Sequence, residues 1–295
     1  MKKIRILLYI LLCLTILGII VGSFCDLNIS KAIADKNNTF ALLISVLIPT
    51  IAFSGLAIVG GAFFAFAIRG DYKKSLKVFF YIVAIGIVII SEYFSGREYF
   101  GKNGFYNKAP QIVGYLIPII PILLMTYLGF YLFKNNENKN AWIILLIALF
   151  AILIPYVFLI EGIKLFVHRP RFRIVNEGFV PFKAWWENFK DYKEAISLYN
   201  VTKEDFKSFP SGHTAEATML LIFSIFIPMA NTYLKKYQTP AIIFSICMIL
   251  IMALGRILAA AHYLSDVSAG AFTLILFAII AYEIIIHNKK LNETL

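Results

Sequence analysis

The chain has 295 residues, of which 60% are hydrophobic and 15% are charged, and its formal net charge is +11 at pH 7. An average soluble domain carries about a quarter charged residues, so this composition excludes an ordinary soluble enzyme and predicts an integral membrane protein. A nucleic-acid-binding protein would carry its excess positive charge on a soluble face, whereas the Lys and Arg residues here lie between long apolar runs. We therefore expect the bilayer as a partner, and no nucleic acid.

Eight apolar segments are long enough, or nearly long enough, to cross a bilayer, which takes roughly 20 apolar residues. In chain order they are 6–24, 40–68, 76–91, 110–133, 141–163, 214–234, 239–260 and 267–286. The first follows three basic residues as a signal peptide would, but it lacks a small-residue cleavage pattern, so we interpret it as a membrane anchor. The sequence thus predicts an all-α integral membrane protein, a helical bundle of about eight transmembrane helices.

The Lys and Arg residues of the connections predict how these segments are oriented. With the N-terminus inside, the inner connections are basic and the early outer ones less so, while the long connection 164–213 breaks this bias with nine Lys or Arg. Because the number of segments is even, both termini are expected to be cytoplasmic in a multi-pass protein of the cell membrane. The three polar clusters described below then all lie on the extracytoplasmic side.

Within the long connection, segment 181–196 has apolar residues at helical spacing and charged residues elsewhere around the predicted helix. This pattern predicts an amphipathic helix. Such a helix either lies in the membrane interface beside the polar clusters or packs on the bundle as a structural cover.

The first polar cluster has Lys164 at the end of the fifth apolar segment and Arg171 seven residues later. Both cations could clamp phosphate oxygens and neutralise charge in a transition state. Basic residues at helix ends are more often snorkelling anchors, so this cluster alone is a weak signal. The neighbouring His168, Arg169 and Arg173 are candidates for contacting a second phosphate or a lipid headgroup.

The second cluster is the sequence Pro-Ser-Gly-His at 210–213, which directly precedes an apolar helix. A helix N-terminus offers unpaired N–H groups to an anion, Gly212 allows close approach, and Ser211 adds a hydroxyl. His213 could protonate a departing oxygen; the alternative is a simple serine cap with an interfacial histidine. Glu216, one turn later, is a candidate for tuning His213 or pairing with a basic group, or else for a structural hydrogen bond to a neighbouring helix.

The third cluster contains Arg256, His262 and Asp266. A histidine and an aspartate four residues apart share a face of a helix or helical turn. A carboxylate that is hydrogen-bonded to one ring nitrogen fixes the tautomer and leaves the other nitrogen free to attack. Arg256 could bind phosphate oxygens in a bidentate manner. The alternative for the pair alone is a satisfied polar contact at a helix start.

Together the clusters resemble the three signature motifs of the type 2 phosphatidic acid phosphatase superfamily, which includes membrane lipid phosphate phosphatases and vanadium haloperoxidases. The residues that carry the resemblance are Lys164-x6-Arg171, Pro210-Ser211-Gly212-His213 and Arg256-x5-His262-x3-Asp266. The resemblance covers about residues 161–286. Two positions depart from the usual pattern: Phe172 replaces a proline after the first motif, and Gly255 replaces a serine before Arg256.

The resemblance implies roles for these residues. His262 attacks phosphorus to give a phosphohistidine, Asp266 orients it, and His213 protonates the leaving group. The phosphate oxygens are held by Lys164, Arg171, Ser211, Gly212 and Arg256. No metal and no cofactor is implied. The resemblance also implies a six-helix core, so the single membrane-embedded domain, 1–295, would contain two extra helices among the spans of 1–160.

From this resemblance and the predicted orientation we expect a membrane lipid phosphate phosphatase. Undecaprenyl diphosphate is the favoured substrate, because outward-facing activity suits the recycling of a lipid carrier, and phosphatidate and phosphatidylglycerophosphate are alternatives. A second hypothesis is head-group or phosphoryl transfer, in which an alcohol replaces water. A third is a non-catalytic lipid-binding or transport protein, which would need no oriented histidine.

Overall fold

A computed structural model of the protein describes residues 2–97, 99 and 111–292. The described residues form helices and no strand. The α-helices are α1 Lys2–Ile33, α2 Thr39–Ile68, α3 Lys74–Arg97, α4 Gln111–Leu116, α5 Ile119–Phe133, α6 Ala141–Ile154, α7 Gly162–Val167, α8 Phe172–Asn176, α9 Tyr192–Tyr199, α10 Gly212–Ala230, α11 Gln238–Leu258, α12 Leu264–His287 and α13 Lys289–Asn292. Residue 110, the first of the predicted fourth segment, lies outside the described residues.

The predicted all-α membrane fold is confirmed. Among the described residues, eight helical segments are long and apolar enough to cross a membrane. They correspond one to one with the eight predicted segments, although several extend further. The first, predicted to end at residue 24, continues as a helix to Ile33. Its last turns carry the buried polar residues Asp26 and Ser30, so tertiary contacts maintain a helix where the apolar run has ended.

The fifth segment changes its helical geometry before it reaches the first polar cluster. Helix α6 passes into a π-helical stretch, Pro155–Glu161, and then into α7. Pro155 has no N–H to donate to the preceding turn, which accounts for a local change in helical geometry there. The helix ends at His168, whose φ of 48° is left-handed. Lys164 therefore lies one turn before the end of the helix.

The chain divides into two compact units. The first contains residues 1–45, 150–218 and 247–282, and the second contains 46–149, 219–246 and 283–295. Every residue of the three polar clusters belongs to the first unit. In the second unit, a group of large aromatic side chains packs edge to face and at tilted angles, namely Phe63, Phe66, Phe80, Phe133 and Trp142.

The predicted amphipathic helix over 181–196 is wrong in its extent, because only α9, Tyr192–Tyr199, is helical. The preceding residues are irregular and are held by tertiary contacts. The N–H of Phe189 donates to the carbonyl of Val167 at the end of α7 (3.1 Å), and its ring stacks on Phe206 with a centroid distance of 5.7 Å. These contacts satisfy the backbone without a helix, and they favour the structural-cover interpretation of this segment.

Candidate active site

His262 lies in the short connection between α11 and α12, and only 2% of it is exposed. Its Nδ1 atom is 2.6 Å from the carbonyl oxygen of Ser208. A carbonyl oxygen can only accept, so Nδ1 carries the hydrogen and the Nε2 atom keeps its lone pair. The carboxylate of Asp266 is 3.6 Å from Nδ1. The Nδ1 atom of His262 therefore donates its hydrogen bond to Ser208 and not, as expected, to Asp266. The negative charge of Asp266 still acts on the His262 ring from just beyond hydrogen-bond distance.

Asp266 is fully buried at the start of α12. Its Oδ2 atom accepts the hydroxyl of Ser208 (2.5 Å) and the N–H of Tyr263 (2.8 Å). The bond to Tyr263, directly before the helix, is the return half of a capping box and satisfies an N–H group at the helix start. The Asp266 carboxylate thus holds both the start of α12 and Ser208, the loop residue whose carbonyl orients His262.

A tight turn after α11 brings Arg256 and His262 together. The N–H of His262 donates to the carbonyl of Arg256 (3.1 Å), and Ala260, within the turn, has a left-handed φ of 54°. This conformation is uncommon for a residue with a Cβ atom, so the turn is held by its surroundings. The next residue, Ala261, also donates to Arg256 (3.1 Å). The five-residue gap in the third motif is the length of this turn.

The departure from the usual pattern at Gly255 has a packing reason. A Cβ atom at this position would lie 2.0 Å from the end of the Ile44 side chain, so a serine does not fit unless Ile44 moves. Arg256 nevertheless has a serine hydroxyl as a partner, which comes from α2: Nη1 of Arg256 donates to Oγ of Ser45 (2.8 Å). Arg256 is 4% exposed and is held by this contact.

Lys164 lies against the second motif. A Cβ atom built on Gly212 would lie 3.0 Å from its Nζ atom, so the glycine makes room for the ammonium group. The Nζ atom also donates to Oε1 of Glu161 (2.7 Å), which precedes Lys164 by three residues along the helix. Lys164 is 9% exposed.

Backbone hydrogen bonds to residues 205–208 hold the loop that carries Arg171. Its N–H donates to the carbonyl of Asp205 (2.8 Å), and the N–H of Ser208 donates to the carbonyl of Arg169 (3.1 Å). The Arg171 side chain is 9% exposed, and its Nε atom has no hydrogen-bond partner among the described residues. Phe172, in place of the usual proline, begins α8 and packs its ring near Tyr263.

The Pro-Ser-Gly-His sequence forms the N-terminus of α10, as predicted from its position before an apolar run. The N–H of Ser211 donates to the carbonyl of Asp266 (3.0 Å), which ties the second motif to the third. The close approach depends on Gly270, where a Cβ atom would lie 2.3 Å from the Ser211 carbonyl oxygen. The Ser211 hydroxyl accepts from the hydroxyl of Thr214 (3.1 Å).

The charges of the three clusters converge on His262. Burial lowers the pKa of His262 well below its usual value, and the nearby Arg171, Arg256, His213 and Lys164 lower it further. Each of these groups destabilises the protonated ring, so each must lie close enough to interact with it electrostatically. A neutral imidazole whose Nε2 atom keeps its lone pair therefore lies near the cationic side chains of the first and third motifs, with His213 of the second motif also close to it.

The remaining candidates differ in their surroundings. Glu216 is fully buried and accepts a hydrogen bond from the hydroxyl of Tyr156 (2.6 Å). A Cβ atom on Gly212 would lie 3.7 Å from that hydroxyl and 3.0 Å from Nζ of Lys164, so Glu216 lies near a basic group of the first motif as well as in a hydrogen bond to a neighbouring helix. His168 stacks on Tyr192 with a ring-centroid distance of 3.8 Å. Arg173 and Asp205 form an ion pair (2.5 Å).

Arg169 lies where no second phosphate or lipid headgroup can reach it. Its guanidinium group is 0% exposed and forms ion pairs with Asp266 (2.5 Å) and Asp26 (2.8 Å). Its Nε atom donates to the carbonyl of Lys183 (2.9 Å). Arg169, a candidate from the sequence for contacting a second phosphate or a lipid headgroup, thus binds two carboxylates of the protein instead.

Sequence reasoning missed three residues of the site. Ser208 and Ser45 contact the motif side chains of Asp266 and Arg256, and Asp26 contacts Arg169, which in turn binds Asp266. Asp26 gave no signal as an acidic residue within a span, because it lies two residues beyond the predicted end of the first apolar segment. The two serines are ordinary in the sequence and are identified only by their contacts. Within the described part of the chain, no three His, Cys, Asp or Glu side chains group in a way that could hold a metal ion.

The fold and the site together define an all-α membrane protein in which cationic side chains lie near a buried histidine. The profile of the PAP2 superfamily matches residues 140–290, which include all three polar clusters and about half of the chain. The protein therefore belongs to the PAP2 superfamily, as the resemblance of its motifs predicts. This membership supports a phosphatase that acts on phosphate esters, often lipid phosphates. No curated protein and no solved structure matches the chain.

Proposed function

We propose that the protein hydrolyses a lipid phosphate or diphosphate through a phosphohistidine intermediate, on the extracytoplasmic side of the cell membrane. The observation that carries this proposal is the hydrogen bond from Nδ1 of His262 to the Ser208 carbonyl, which leaves Nε2 as a free base among cations. A neutral, oriented imidazole is the form in which histidine acts as a nucleophile.

The proposed reaction has two steps. In the first, Nε2 of His262 forms a bond to phosphorus, the bond from phosphorus to the lipid oxygen breaks, and His213 donates a proton to that oxygen. In the second, water attacks the phosphohistidine and gives a proton to His213, the P–N bond breaks with its electron pair returning to Nε2, and phosphate leaves. Lys164, Arg171 and Arg256 stabilise the charge that develops on the phosphoryl oxygens, with Ser211 and the N-terminus of α10 as further donors.

A lipid is the proposed substrate because the catalytic motifs lie at the ends of helices that are apolar enough to cross a membrane. Undecaprenyl diphosphate is favoured by the predicted outward-facing site, and phosphatidate and phosphatidylglycerophosphate are the alternatives. The deciding experiment measures phosphate release by the purified protein from each of these three lipids. Release from phosphatidate alone would contradict the diphosphate assignment.

Replacing His262 tests the nucleophile. His262→Ala is expected to reduce phosphate release by roughly 10⁴-fold or more, because a covalent catalyst without its nucleophile retains only binding and electrostatic effects. His287→Ala is the matched control, since this histidine is largely exposed at the end of α12, and it is expected to retain normal turnover. Near-normal turnover by folded His262→Ala would refute the mechanism. Phosphate release that requires an added alcohol would support the transferase hypothesis instead.

Metal independence is a further part of the proposal, because three side-chain cations can supply the charge that a metal ion would otherwise provide. Activity is expected to survive EDTA and to be inhibited by vanadate, which reproduces the five-coordinate geometry of phosphoryl transfer. Phosphate release that stops with EDTA and returns with an added divalent cation would overturn this part.

A further inference from the structure

Asp26 is a buried carboxylate in a helix that otherwise exposes most of its side chains. Residues along α1 such as Leu14, Leu17 and Phe24 are more than half exposed, whereas Asp26 is 2% exposed. A carboxylate in such surroundings is stable only when it is paired and hydrogen-bonded. Its partners therefore indicate what it does.

Among the described residues, the hydrogen-bond partners of Asp26 are Ser265, which lies within the third motif, and Arg169, which contacts Asp266 of that motif. Its Oδ1 atom accepts the N–H of Ser265 (2.9 Å), and its Oδ2 atom accepts Nη2 of Arg169 (2.8 Å) and the hydroxyl of Ser265. Ser265 directly precedes Asp266 and follows His262 by three residues. A residue in the first helix of the chain thus contacts the start of α12, where the proposed nucleophile is oriented.

Arg169 connects the two carboxylates. Its Nη2 atom donates to Asp26, while its Nη1 atom donates to Oδ1 of Asp266 (2.5 Å). The Nε atom is occupied by the carbonyl of Lys183 (2.9 Å). Because each edge of the guanidinium group is occupied, Arg169 binds Asp266 through one oxygen only. The other oxygen, Oδ2, remains directed at Ser208 and at the ring of His262.

Without Asp26, Arg169 would have one carboxylate partner instead of two. An arginine with a single carboxylate prefers a bidentate pair, in which both oxygens accept from the guanidinium group. Such a pair would draw Oδ2 of Asp266 away from Ser208 and from the His262 ring. It would also neutralise Asp266 more fully and so weaken the negative charge that stabilises a positively charged phosphohistidine ring.

Glycines on α1 allow this helix to approach α12 closely enough for Asp26 to contact Ser265. A Cβ atom on Gly22 would lie 2.5 Å from the backbone nitrogen of Ser265, and one on Gly18 would lie 2.3 Å from Oγ of Ser268. Gly18, Gly22 and Asp26 recur every four residues and so share one face of α1. Small residues at this spacing let two membrane helices approach closely, which brings the Asp26 carboxylate within reach of the α12 backbone.

We propose that Asp26 is a positioning residue, which acts through Arg169 to keep Asp266 bound to Ser208 and directed at His262. The first helix would thereby be part of the catalytic apparatus, although it lies outside the region matched by the family profile. This proposal rests on the proposed phosphatase function for its kinetic test, but its structural content can be tested without turnover.

The kinetic test compares Asp26→Asn with the wild-type protein. We expect kcat to fall by about 10- to 100-fold, as is typical when the group that orients a functional residue is removed. KM should stay within about twofold, because no phosphate-binding group is changed. Ser30→Ala is the matched control, one turn further along α1, since Ser30 is also buried and its hydroxyl has no partner among the described residues. Its kcat should be unchanged.

A spectroscopic test does not depend on activity. The chain has four histidines, so the ring nitrogens of His262 can be assigned by ¹⁵N NMR with His262→Ala as the reference. Asp26→Asn should shift the His262 ring signals, and Ser30→Ala should not. If wild-type protein releases no phosphate but the signals shift as expected, the phosphatase proposal fails and the positioning proposal stands.

A double-mutant cycle tests whether Asp26 acts through Arg169. The kcat of the double variant Asp26→Asn with Arg169→Gln should be no lower than that of Arg169→Gln alone. Once Arg169 is removed, the loss of the Asp26 carboxylate can no longer affect Asp266 through it. If Asp26→Asn does not fold, Ser265→Ala serves in its place, with a smaller loss of kcat expected from the missing hydroxyl contacts. An unchanged His262 signal together with a kcat within about twofold of wild type, in either folded variant, would overturn the proposal.

Discussion

At the scale of single residues, the site depends on one buried imidazole whose two nitrogens have different tasks. The Nδ1 atom of His262 donates to a backbone carbonyl, and the Nε2 atom, which keeps its lone pair, is the proposed nucleophile. A backbone carbonyl cannot be removed by a side-chain change, which makes the tautomer robust. The charge of Asp266, in contrast, depends on side chains that are far away in the sequence.

The lowered pKa of His262 leads to a prediction about pH. An ordinary histidine, with a pKa of about 6.5, is mostly protonated at pH 5.5. Burial and the surrounding cations lower the pKa of His262, so its neutral form should persist as the pH falls through 6.5. The ¹⁵N signals of His262 are therefore expected to remain those of a neutral ring at pH 5.5. A protonated ring at that pH would contradict the cationic pocket.

A second residue-scale prediction concerns Ser208. Its hydroxyl donates to Oδ2 of Asp266, and it is fully buried. Ser208→Ala should lower kcat by roughly 10-fold, in line with the loss of a hydrogen bond to a charged acceptor, while the carbonyl contact to His262 remains. Ser224→Ala is a suitable control, because this buried hydroxyl donates to a carbonyl of its own helix. Equal effects of the two changes on phosphate release would argue against a role for Ser208.

At the scale of helices, close packing depends on glycines at a few positions. In the second unit, a Cβ atom on Gly129 of α5 would lie 2.0 Å from the carbonyl oxygen of Ile58 in α2. The reverse contact is equally tight, since a Cβ atom on Gly61 would lie 1.9 Å from the carbonyl oxygen of Thr126. Backbone atoms cannot rotate away as a side chain can, so these two helices touch only because both positions are glycine.

This contact predicts opposite effects for two glycine substitutions. Gly129→Ala should destabilise the protein by about 1–3 kcal/mol, because the two helices must separate. Gly86→Ala in α3 should be neutral or stabilising by up to about 1 kcal/mol, since a Cβ atom there meets nothing within 4 Å and alanine is the better helix former. Unfolding in detergent measures both changes. A Gly129→Ala variant as stable as Gly86→Ala would contradict the close approach.

At the scale of the whole molecule, the arrangement of basic connections predicts the orientation in the membrane. The eight candidate spans among the described residues would put both termini on the same side of the membrane, and the positive-inside rule predicts that this side is cytoplasmic. Reporter fusions at either end should therefore report the cytoplasm, and an insertion after Asn200, in the connection before α10, should report the opposite side. An insertion at this site that reports the cytoplasm would invert the orientation proposed for the catalytic site.

Much of the fold was predictable from the sequence because its signals are local. A run of about 20 apolar residues specifies a spanning helix by itself, and motif spacing identified the PAP2 superfamily. Segment 181–196 shows where such reasoning fails. Its apolar residues follow a helical period, yet they are used in separate tertiary contacts. Phe189 contacts α7 and Phe206, Phe182 packs on Tyr263, and Trp185 packs on Phe209.

The sequence by itself determined that this is a membrane protein of the PAP2 superfamily and which residues form its three motifs. Only the tertiary structure decided which groups surround them. The carbonyl that orients His262 comes from Ser208, 54 residues earlier, and the carboxylate that shares Arg169 comes from Asp26, 143 residues earlier. Contacts of this kind leave no spacing pattern, because the folded chain, and not the order of its residues, brings their atoms within hydrogen-bond distance.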